Sequence, residues 1–270
     1  MSEINATKAF IKMLVAILKT LSNKTNIFNM AEQEVIKHTK KVFKILEDKN
    51  SSFWHKFKDF VLEIFIIVFA ISISIWFQNW SERRNEQKTT KTFLLGLKDD
   101  IQADITETED ILKTYKEYNL LYTYLNSLDR KKTPSKDSLK KALTYIGSNT
   151  FLRAHESRFN GFLSAGKIMS IENDSLTQNI LNYFQVVLPS LQTSEEIWLS
   201  QNRLLITYLT DNVKDFENDM DKFQVLTTAK GKYLTKSLIP WQQLLDRYKL
   251  VSFEGNKIIL NINKLYPKNK

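Results

Sequence analysis

The sequence of 270 residues contains no cysteine, only 4 prolines and only 6 glycines. Without a thiol, the chain cannot form a disulfide framework or a zinc site with cysteine ligands. Folds rich in sheet need frequent turns, and turns draw on glycine and proline, so the scarcity of both residues indicates a mainly helical chain. Hydrophobic residues make up 43% of the sequence, which is too many for a disordered chain.

The sequence also lacks the known motifs of catalysis and of nucleotide binding. It has no G-x-S-x-G, no phosphate-binding glycine loop and no GxGxxG. The three histidines, His38, His55 and His155, do not have the spacing of metal ligands. His155, Glu156 and Arg158 form a polar cluster before a predicted helix, which we interpret as a surface cluster. We therefore predict no catalytic residue, no metal site and no cofactor.

Positive charge is concentrated before residue 59. The net charge is +9; residues 1–58 carry 11 lysines against 5 acidic residues, residues 59–80 contribute −2, and residues 81–270 contribute +5. The lysines of the first segment stand beside apolar runs, which suits an anionic lipid surface better than nucleic acid. A solvated basic face is the alternative interpretation of the same charges.

One apolar run is long enough to cross a membrane. Residues 60–77 read FVLEIFIIVFAISISIWF, and these eighteen residues would rise roughly 27 Å as a helix, close to the hydrocarbon thickness of a bilayer. The hydroxyls of Ser72 and Ser74 can bond to carbonyls one turn earlier, so neither is costly in lipid. We predict a transmembrane helix. The alternative is a buried core helix, which a chain of this size could hardly surround.

The flanks of this run resemble membrane interfaces, because aromatic and basic side chains stand at both ends. Before it lie Trp54, Lys56, Phe57 and Lys58, and at its other end lie Trp76, Asn79, Trp80, Arg83 and Arg84. We expect Asn79 and Trp80 to fix the depth of the span. Basic residues are equal in number on the two sides, so the positive-inside rule gives no orientation by itself. The wider N-terminal excess favours a cytoplasmic N-terminus in an inner membrane, with residues 81–270 in the periplasm.

Glu63 is the single ionisable residue inside the run, one turn from its start. A carboxylate within a span is costly and usually has a reason. We expect Glu63 either to reach the headgroups or to pair with Lys56 or with another chain.

Two further helices are predicted before the span. Residues 9–18 read AFIKMLVAIL, with lysines along one side, and are too short to cross a bilayer. They suit an amphipathic helix on the membrane surface or, equally, a short helix packed on the protein. A second helical run covers residues 30–47, and neither segment carries catalytic chemistry.

A stripe of apolar residues spaced three and four apart predicts a long helix over residues 91–127. The stripe consists of Leu97, Ile101, Ile105, Thr108, Leu112, Tyr115, Asn119 and Tyr122. The predicted outward side carries Lys98, Asp99, Asp104, Glu107, Glu109 and Lys113. Such a stripe is typical of a coiled-coil seam between two chains or of a face inside a helical bundle, and its polar later positions favour the bundle.

Capping residues and helix breakers predict the remaining boundaries. Thr133 and Pro134 are expected to start a helix that stops at Gly147. Ser175 and Gln178 form a predicted capping box that opens a second long helix. The other expected features are Gly166 as a C-cap between helices, Pro189 as a kink or end, a helix around residues 197–209, and shorter helices at 241–248 and 258–265, the last with a strand as alternative.

Three stretches carry a resemblance to a known family: LEIFIIVFAISISIWFQNWSERR, LLGLKDDIQADI and FNGFLSAGKIMSIENDSLTQNILNYF. They are similar to an uncharacterised single-span membrane-protein family of Bacteroidetes, the domain of unknown function numbered 6090. The matching positions are Glu63, Ile64, Asn79, Trp80, Glu82, Arg83, Gly166, Ile171, Asn173, Leu176 and Tyr183, while Leu62 and Ser81 depart from the pattern. The resemblance covers about residues 56–265. It implies a single-span membrane protein with a helical domain, and it implies no activity.

These features together predict a mainly α chain in which one transmembrane helix continues into a soluble helical bundle. The expected parts are a basic extension with amphipathic helices (1–55), the span with its flanks (56–80) and a helical domain (81–270). We expect a non-enzymatic protein whose domain binds a partner or senses a signal. Its expected partners are the lipid bilayer and either a second copy or an unidentified membrane protein, but no nucleic acid.

Two alternative functions remain open at the level of sequence. The chain could be a membrane-tethered enzyme with an unrecognised pocket, which a polar cavity at His155, Glu156 and Arg158 would favour. It could also be a helical subunit of a larger membrane complex, in which Glu63 would pair with a charge on another chain.

Overall fold

The structure, a computed structural model, describes residues 37, 38, 40, 41 and 53–267, without the side chains of residues 53–57, 59 and 60. All regular structure in this part of the chain is helical and no strand occurs in it, so the prediction of a mainly α chain is confirmed. The predicted helix at 9–18, most of that at 30–47, and the side chains of Trp54 and Phe57 lie outside the described residues.

From residue 53 onward the described chain forms eight α-helices. They are α1 (Phe53–Ser127), α2 (Lys136–Thr144), α3 (Ser157–Ser164), α4 (Asp174–Asn182), α5 (Leu188–Asn212), α6 (Asp219–Leu226), α7 (Ala229–Ser237) and α8 (Gln242–Leu265). A 3₁₀ turn (Lys167–Ser170) precedes α4, and a π-helical turn (Tyr183–Val187) joins α4 to α5. The chain divides into two compact units, residues 1–86 and 87–270, and the predicted boundaries at residues 55 and 80 stay a prediction.

In the first unit, the apolar stretch of α1 presents most of its side chains outward. By length and composition, α1 is able to cross a membrane, and only 11% of its apolar window is buried. Phe65, Phe69 and Trp76 are each more than half exposed. The hydroxyls of Ser72 and Ser74 each donate to a carbonyl oxygen four residues earlier at 2.8 Å, as the sequence predicts. Their polar atoms are therefore satisfied inside the helix.

In the second unit, six of the eight stripe positions are buried as predicted, including Tyr115 and Tyr122, but beyond Thr108 the buried face also takes in a neighbouring flank of α1. Ile111 and Tyr118 are buried, whereas Leu112 is only half-buried and Asn119 is exposed. The reason is the packing of Tyr118 against a tryptophan of α5, which selects that flank of the helix. Asp104, predicted to face outward, is fully buried, because the protein supplies it with hydrogen-bond donors that are described below.

Aromatic rings fill the core around Trp198 of α5, which is fully buried. Tyr118 stacks on Trp198 with ring centroids 5.2 Å apart, and Tyr115 and Tyr122 meet it edge-on at 5.5 and 6.4 Å. Each such pair contributes about 0.5–1.5 kcal/mol beyond the burial of its area. The stripe of α1 is thus covered by the chain's own residues. This favours the predicted intramolecular face, and a bundle and a coiled coil both stay predictions.

The predicted start of α2 at Thr133 and Pro134 is wrong by two residues. Ser135 is the N-cap, with extended backbone (φ −60°, ψ 127°), and its carbonyl accepts the first helical hydrogen bond from Leu139 N at 2.9 Å. Pro134 therefore precedes the cap, where its missing N–H has no consequence. Gly147 lies beyond the end of α2, in a turn that its φ of +87° makes possible.

The predicted capping box of Ser175 and Gln178 is also wrong. Asn173 is the N-cap of α4, and its side-chain oxygen accepts the Leu176 N–H at 2.9 Å. Ser175 and Gln178 therefore lie inside the helix and are exposed.

Gly166 stands where a helix ends, directly after the C-cap of α3, with a left-handed φ of +68°.

Pro189 does not end its helix, contrary to one of the two predicted outcomes. Proline lacks an N–H, and its ring would clash with the carbonyl four residues earlier in an α-helix. The chain widens into the π turn just before it, where the Leu188 N–H bonds to the Tyr183 carbonyl. The helical path then continues from α4 into α5.

The two short elements predicted at 241–248 and 258–265 are one helix, α8, so the strand alternative is wrong. Gly255 interrupts the side-chain pattern of α8 without breaking the helix. A Cβ at Gly255 would lie 2.9 Å from Ile101 Cγ2, so the missing side chain allows α8 to approach α1 closely. Helices α6 and α7, of 8 and 9 residues, were not predicted.

Two helical glycines should respond to alanine in opposite directions. A Cβ at Gly231 would lie 2.4 Å from the Val225 carbonyl oxygen and 2.6 Å from that of Leu226, whereas a Cβ at Gly161 meets nothing within 4 Å. We expect Gly231→Ala to lower the free energy of unfolding by about 1–3 kcal/mol through overpacking. Gly161→Ala should raise it by up to about 1 kcal/mol through helix propensity. Thermal unfolding of the full chain in detergent, followed by circular dichroism, checks both; equal melting temperatures would contradict the packing around Gly231.

Candidate functional site

Three of the buried polar side chains of the second unit, those of Asp104, Glu195 and Asn202, converge on one segment, residues 148–156, which links α2 to α3 and is called the connection below. The connection has no regular secondary structure. Its backbone N–H and C=O groups therefore need partners other than a helix, because an unpaired buried backbone group costs about as much as a lost hydrogen bond. Side chains of α1 and α5 are the partners.

Four hydrogen bonds hold the connection at intervals of about two residues. Asn202 Nδ2 donates to Ser148 O at 3.1 Å, Tyr115 Oη donates to Thr150 O at 3.3 Å, Leu152 N donates to Glu195 Oε1 at 2.8 Å, and His155 N donates to Asp104 Oδ1 at 3.1 Å. All four side chains come from residues that are almost completely buried. The first role of these polar groups is therefore to satisfy the backbone of an irregular segment.

Asp104 and His155 form a carboxylate–imidazole pair at the end of the connection. Besides the backbone N–H, Asp104 Oδ1 is bonded to His155 Nδ1 at 2.6 Å. The carboxylate is fully buried, while the imidazole is about half exposed. Burial raises the pKa of Asp104, and the hydrogen bonds from His155 offset part of that rise. The hydrogen bond to Asp104 in turn raises the pKa of His155 above its usual value.

Asp100 and Arg158 form a second pair one turn along α1. Arg158 Nε donates to Asp100 Oδ2 at 2.7 Å. The guanidinium lies across Gly96, where a Cβ would stand only 2.4 Å from Arg158 Cζ. Gly96, Asp100 and Asp104 are spaced four apart, so they share one face of α1. Through Asp100 this face of α1 binds Arg158 at the start of α3, and through Asp104 it binds His155 at the end of the connection.

Glu195 is the most deeply placed acid of α5, and two donors meet at one of its oxygens. Tyr248 Oη of α8 makes a short hydrogen bond to Glu195 Oε1, which also accepts the Leu152 N–H. Burial raises the pKa of Glu195, and these two hydrogen bonds oppose the rise. Glu195 therefore joins the connection to α8.

The chemistry available at His155 is that of an oriented imidazole. A carboxylate on Nδ1 fixes the tautomer and leaves Nε2 as the free ring nitrogen, the arrangement that a general base needs. Within the described residues, however, no group of three or more His, Cys, Asp or Glu side chains could hold a metal ion. Glu156 is turned to α5, where it accepts a hydrogen bond from Gln192 Nε2 at 3.3 Å.

A cavity of about 470 Å³ opens elsewhere in the second unit. It is lined by Lys98, Asp99, Gln102, Ile259 and Asn263. The polar trio that the enzyme alternative requires does not line this cavity. The structure brings His155 and Arg158 together at the face of α1, but it binds each of them to its own carboxylate.

In the first unit, Glu63 is buried and has basic partners from its own chain. His38 Nδ1 makes a short contact with Glu63 Oε2, and Lys41 Nζ lies 3.7 Å from Glu63 Oε1. The sequence suggested Lys56, another chain or the headgroups as partners. In the structure, the partners of Glu63 are instead His38 and Lys41, which lie 25 and 22 residues earlier in the sequence.

The residues expected at the membrane interface line the outer surface of α1. Trp76 and Trp80 are exposed, with Phe77 packed on Trp80 at 5.7 Å between ring centroids. Arg84 Cζ lies 4.7 Å from the centre of the Trp80 ring, a cation–π contact. Asn79 and Arg83 are exposed as well, and their role in anchoring stays a prediction.

The sequence analysis singles out Asp104, His155 and Arg158 but not their pairing, and it does not single out Glu195 or Asn202. The signal that was available is the spacing of Gly96, Asp100 and Asp104 on one helix face, together with His155 and Arg158 three residues apart. From the sequence alone, Asp104 is expected on the outward side of the helix, and His155 and Arg158 are expected in a surface cluster. The role of Glu195 left no signal at all, because an acid on a helix is ordinarily exposed.

A model of a family of unknown function, DUF6090, matches residues 63–227, a range that includes both carboxylate pairs, Glu195 and Asn202. No curated protein and no solved structure matches the chain.

The Asp104–His155 pair predicts a specific pH dependence of stability. Because the pKa of His155 is raised in the folded state, its contribution is complete below the unfolded value of 6.5 and is lost as the pH rises through the folded pKa. We expect the free energy of unfolding of the full chain to fall as the pH rises from the unfolded value of 6.5 through the raised pKa of the folded state. In His155→Gln, which keeps the other two histidines, this part of the slope should disappear. Denaturant unfolding at several pH values checks it, and parallel pH profiles of the two proteins would contradict the pair.

Two substitutions of Glu195 separate its hydrogen bonding from its charge. Glu195→Ala leaves the Leu152 N–H and the Tyr248 hydroxyl unpaired, so we expect a loss of about 1–3 kcal/mol in the free energy of unfolding, plus the cost of the cavity. Glu195→Gln keeps an acceptor oxygen and should cost less than about 1 kcal/mol. Urea denaturation of the full chain at neutral pH measures both. If glutamine cost as much as alanine, the carboxylate charge itself would be required.

Proposed function

Because the chain belongs to DUF6090, a family of unknown function, its role has to be inferred from its own residues, and we propose that it is a non-enzymatic membrane protein with a single span at residues 60–77. Its helical domain, residues 81–270, binds a partner or senses a signal. The span lies in an inner membrane and the domain lies in the periplasm.

The exposure of the apolar stretch of α1 carries this proposal. The exposed large apolar residues of that stretch are Val61, Leu62, Phe65, Val68, Phe69, Ile73, Ile75, Trp76 and Phe77. Leaving such side chains in water costs about 25 cal/mol for each Å² of apolar surface, and soluble monomers rarely expose patches larger than a few hundred Å². A bilayer provides the apolar surroundings that this surface needs.

The surroundings of Glu63 support the same placement. A lone carboxylate is expensive within a span, and a cation in contact lowers that cost. His38 and Lys41 supply such contacts from the same chain. A second chain is therefore not needed to accommodate Glu63, so the alternative of a subunit in a larger complex loses its main argument.

The use of the polar residues supports a binding or sensing role over an enzymatic one. Asp104, Glu195 and Asn202 are engaged with the backbone of the connection, and His155 and Arg158 are held by carboxylates. A catalytic group needs a substrate position beside it. The contacts described here serve the fold.

The absence of cysteine permits a direct topology test with single cysteines. Ser2→Cys reports the segment before the span, and Ser138→Cys, on the exposed side of α2, reports the domain. Intact spheroplasts are treated with a membrane-impermeant maleimide, and lysed spheroplasts serve as the control in which both variants must react.

We expect only Ser138→Cys to be labelled before lysis, with the protein remaining in the membrane after alkaline carbonate extraction. Labelling of only Ser2→Cys would reverse the orientation and leave the single span intact. Labelling of both variants before lysis, or release of the protein by carbonate, would overturn the single span itself.

A further inference from the structure

A concentrated group of cations lies on the surface of the second unit, between the end of α1 and the end of α2. Six exposed side chains form this basic patch: Arg130, Lys131, Lys132, Lys136, Lys140 and Lys141. Residues 129–144 hold these six cations against only Asp129 and Asp137, a net charge of +4. The whole of residues 81–270 carries +5, so most of the excess positive charge of the domain is in this patch.

The positive charges of the basic patch are not neutralised by acidic side chains in the part of the chain that the structure describes. Among the described residues, none of its six side chains forms an ion pair, and Arg130 makes its hydrogen bond to a neutral group, Gln224 Oε1, at 2.9 Å. Four other lysines of the domain behave differently. Lys113, Lys222, Lys249 and Lys257 each pair with an acid three residues earlier, at 2.8–3.4 Å.

The backbone beneath the patch is fixed by the burial of two α2 side chains, by Lys232 of α7 and by a turn within the loop. Leu139 and Ala142 of α2 are almost completely buried, so the lysines of α2 project from an anchored helix. The loop before it begins at carbonyls held by Lys232, whose Nζ donates to Asn126 O at 2.7 Å and to Leu128 O. The Lys132 N–H closes a turn onto Asp129 O at 2.9 Å. The cations are therefore presented together and do not have to be gathered by a partner.

We propose that the basic patch is a docking surface for an anionic lipid surface. This goes beyond the proposed function, which gives the domain a partner or a signal without naming its chemistry. Five of the six cations are lysines, whose compact ammonium groups suit a diffuse layer of headgroup charge better than a bidentate site for one carboxylate or phosphate.

The composition around the patch disfavours other anionic partners. Protein interfaces are depleted in lysine and rely on aromatic and apolar anchors, yet no large apolar side chain is exposed between residues 121 and 150, all of which are described. Single-stranded nucleic acid needs exposed rings on which bases stack. Tyr145, the ring that directly follows α2 in the sequence, is half-buried and donates to Glu117 Oε2 at 3.2 Å.

The test places a reporter inside the patch. The full chain with Ser138→Cys, labelled with a donor fluorophore, is held in nanodiscs of phosphatidylcholine. Vesicles carrying an acceptor lipid are added, either of phosphatidylcholine alone or with about 30% phosphatidylglycerol. Energy transfer from residue 138 reports contact of the patch, and not of the basic N-terminal segment, with the added surface.

Two charge-matched variants make the test specific. In the patch variant, Lys131, Lys136, Lys140 and Lys141 become glutamine. In the control variant, the four paired lysines Lys113, Lys222, Lys249 and Lys257 become glutamine, which removes the same four charges. A third variant with arginine at the four patch positions keeps the charge and checks that substitution alone does not disturb the fold.

We expect energy transfer with the phosphatidylglycerol vesicles only, and its loss as salt is raised well above physiological ionic strength. The patch variant should bind at least about tenfold more weakly, because each lysine near such a surface contributes about a fivefold factor. The control and arginine variants should bind like the parent protein.

Equal binding by the patch and control variants would overturn the proposal. So would a label that responds to duplex DNA or to polyglutamate but not to anionic vesicles, because the partner would then be a different polyanion. Neither result bears on the single span, which carbonate extraction and maleimide labelling measure independently.

Discussion

The second unit depends on the pairing of one irregular segment with buried polar side chains. The connection runs from Ser148 to Glu156 without regular secondary structure, with Leu152 buried and the other residues half-buried or exposed, and the backbone supplies partners mainly at its two ends. Polar groups of α1 and α5 reach it from two sides. Because a buried backbone group without a partner costs about as much as a lost hydrogen bond, these side chains are constrained in type as well as in position. The same constraint explains why Asp104 and Glu195 tolerate burial, which ordinarily disfavours the charged form.

The helical character of the chain followed from composition, and much of the α1 stripe followed from spacing. Leu97, Ile101, Ile105 and Thr108 are buried as expected, because a helix of 3.6 residues per turn places them on one side whatever packs against them. Tyr115 and Tyr122 are buried as expected too, but the additional burial of Tyr118 depends on Trp198, which lies 80 residues after it in the chain. Local spacing contains no information on such a partner.

The predicted starts of two helices are wrong, and in each case two residues that can serve as N-cap lie close together in the sequence. Thr133 and Ser135 are both good N-caps, and so are Asn173 and Ser175. Which of the two residues becomes the N-cap depends on where the helix must lie in the folded protein, and the local sequence does not contain that information. The burial of Asp104 and Glu195 could not be predicted for a related reason. An acidic residue on a helix is expected to be exposed to solvent unless a hydrogen-bond donor from a distant part of the chain is known. Family membership, in contrast, was predictable from short local patterns, because those patterns do not require the tertiary partners to be known.

The π turn before Pro189 determines the rotational phase between two helices. A π turn contains about one residue more than an α turn, and each residue of a helix advances it by about 100°. Leu176 and Ile180 on α4 face the core together with Leu191 and Trp198 on α5 only because this extra residue is present between them. A chain of this fold that lost one residue between Tyr183 and Val187 would return to a regular pitch and rotate one apolar face toward solvent. Insertions and deletions among related chains should therefore be absent from this turn. They should occur in the loops, where one residue more or less does not rotate one helix face relative to another.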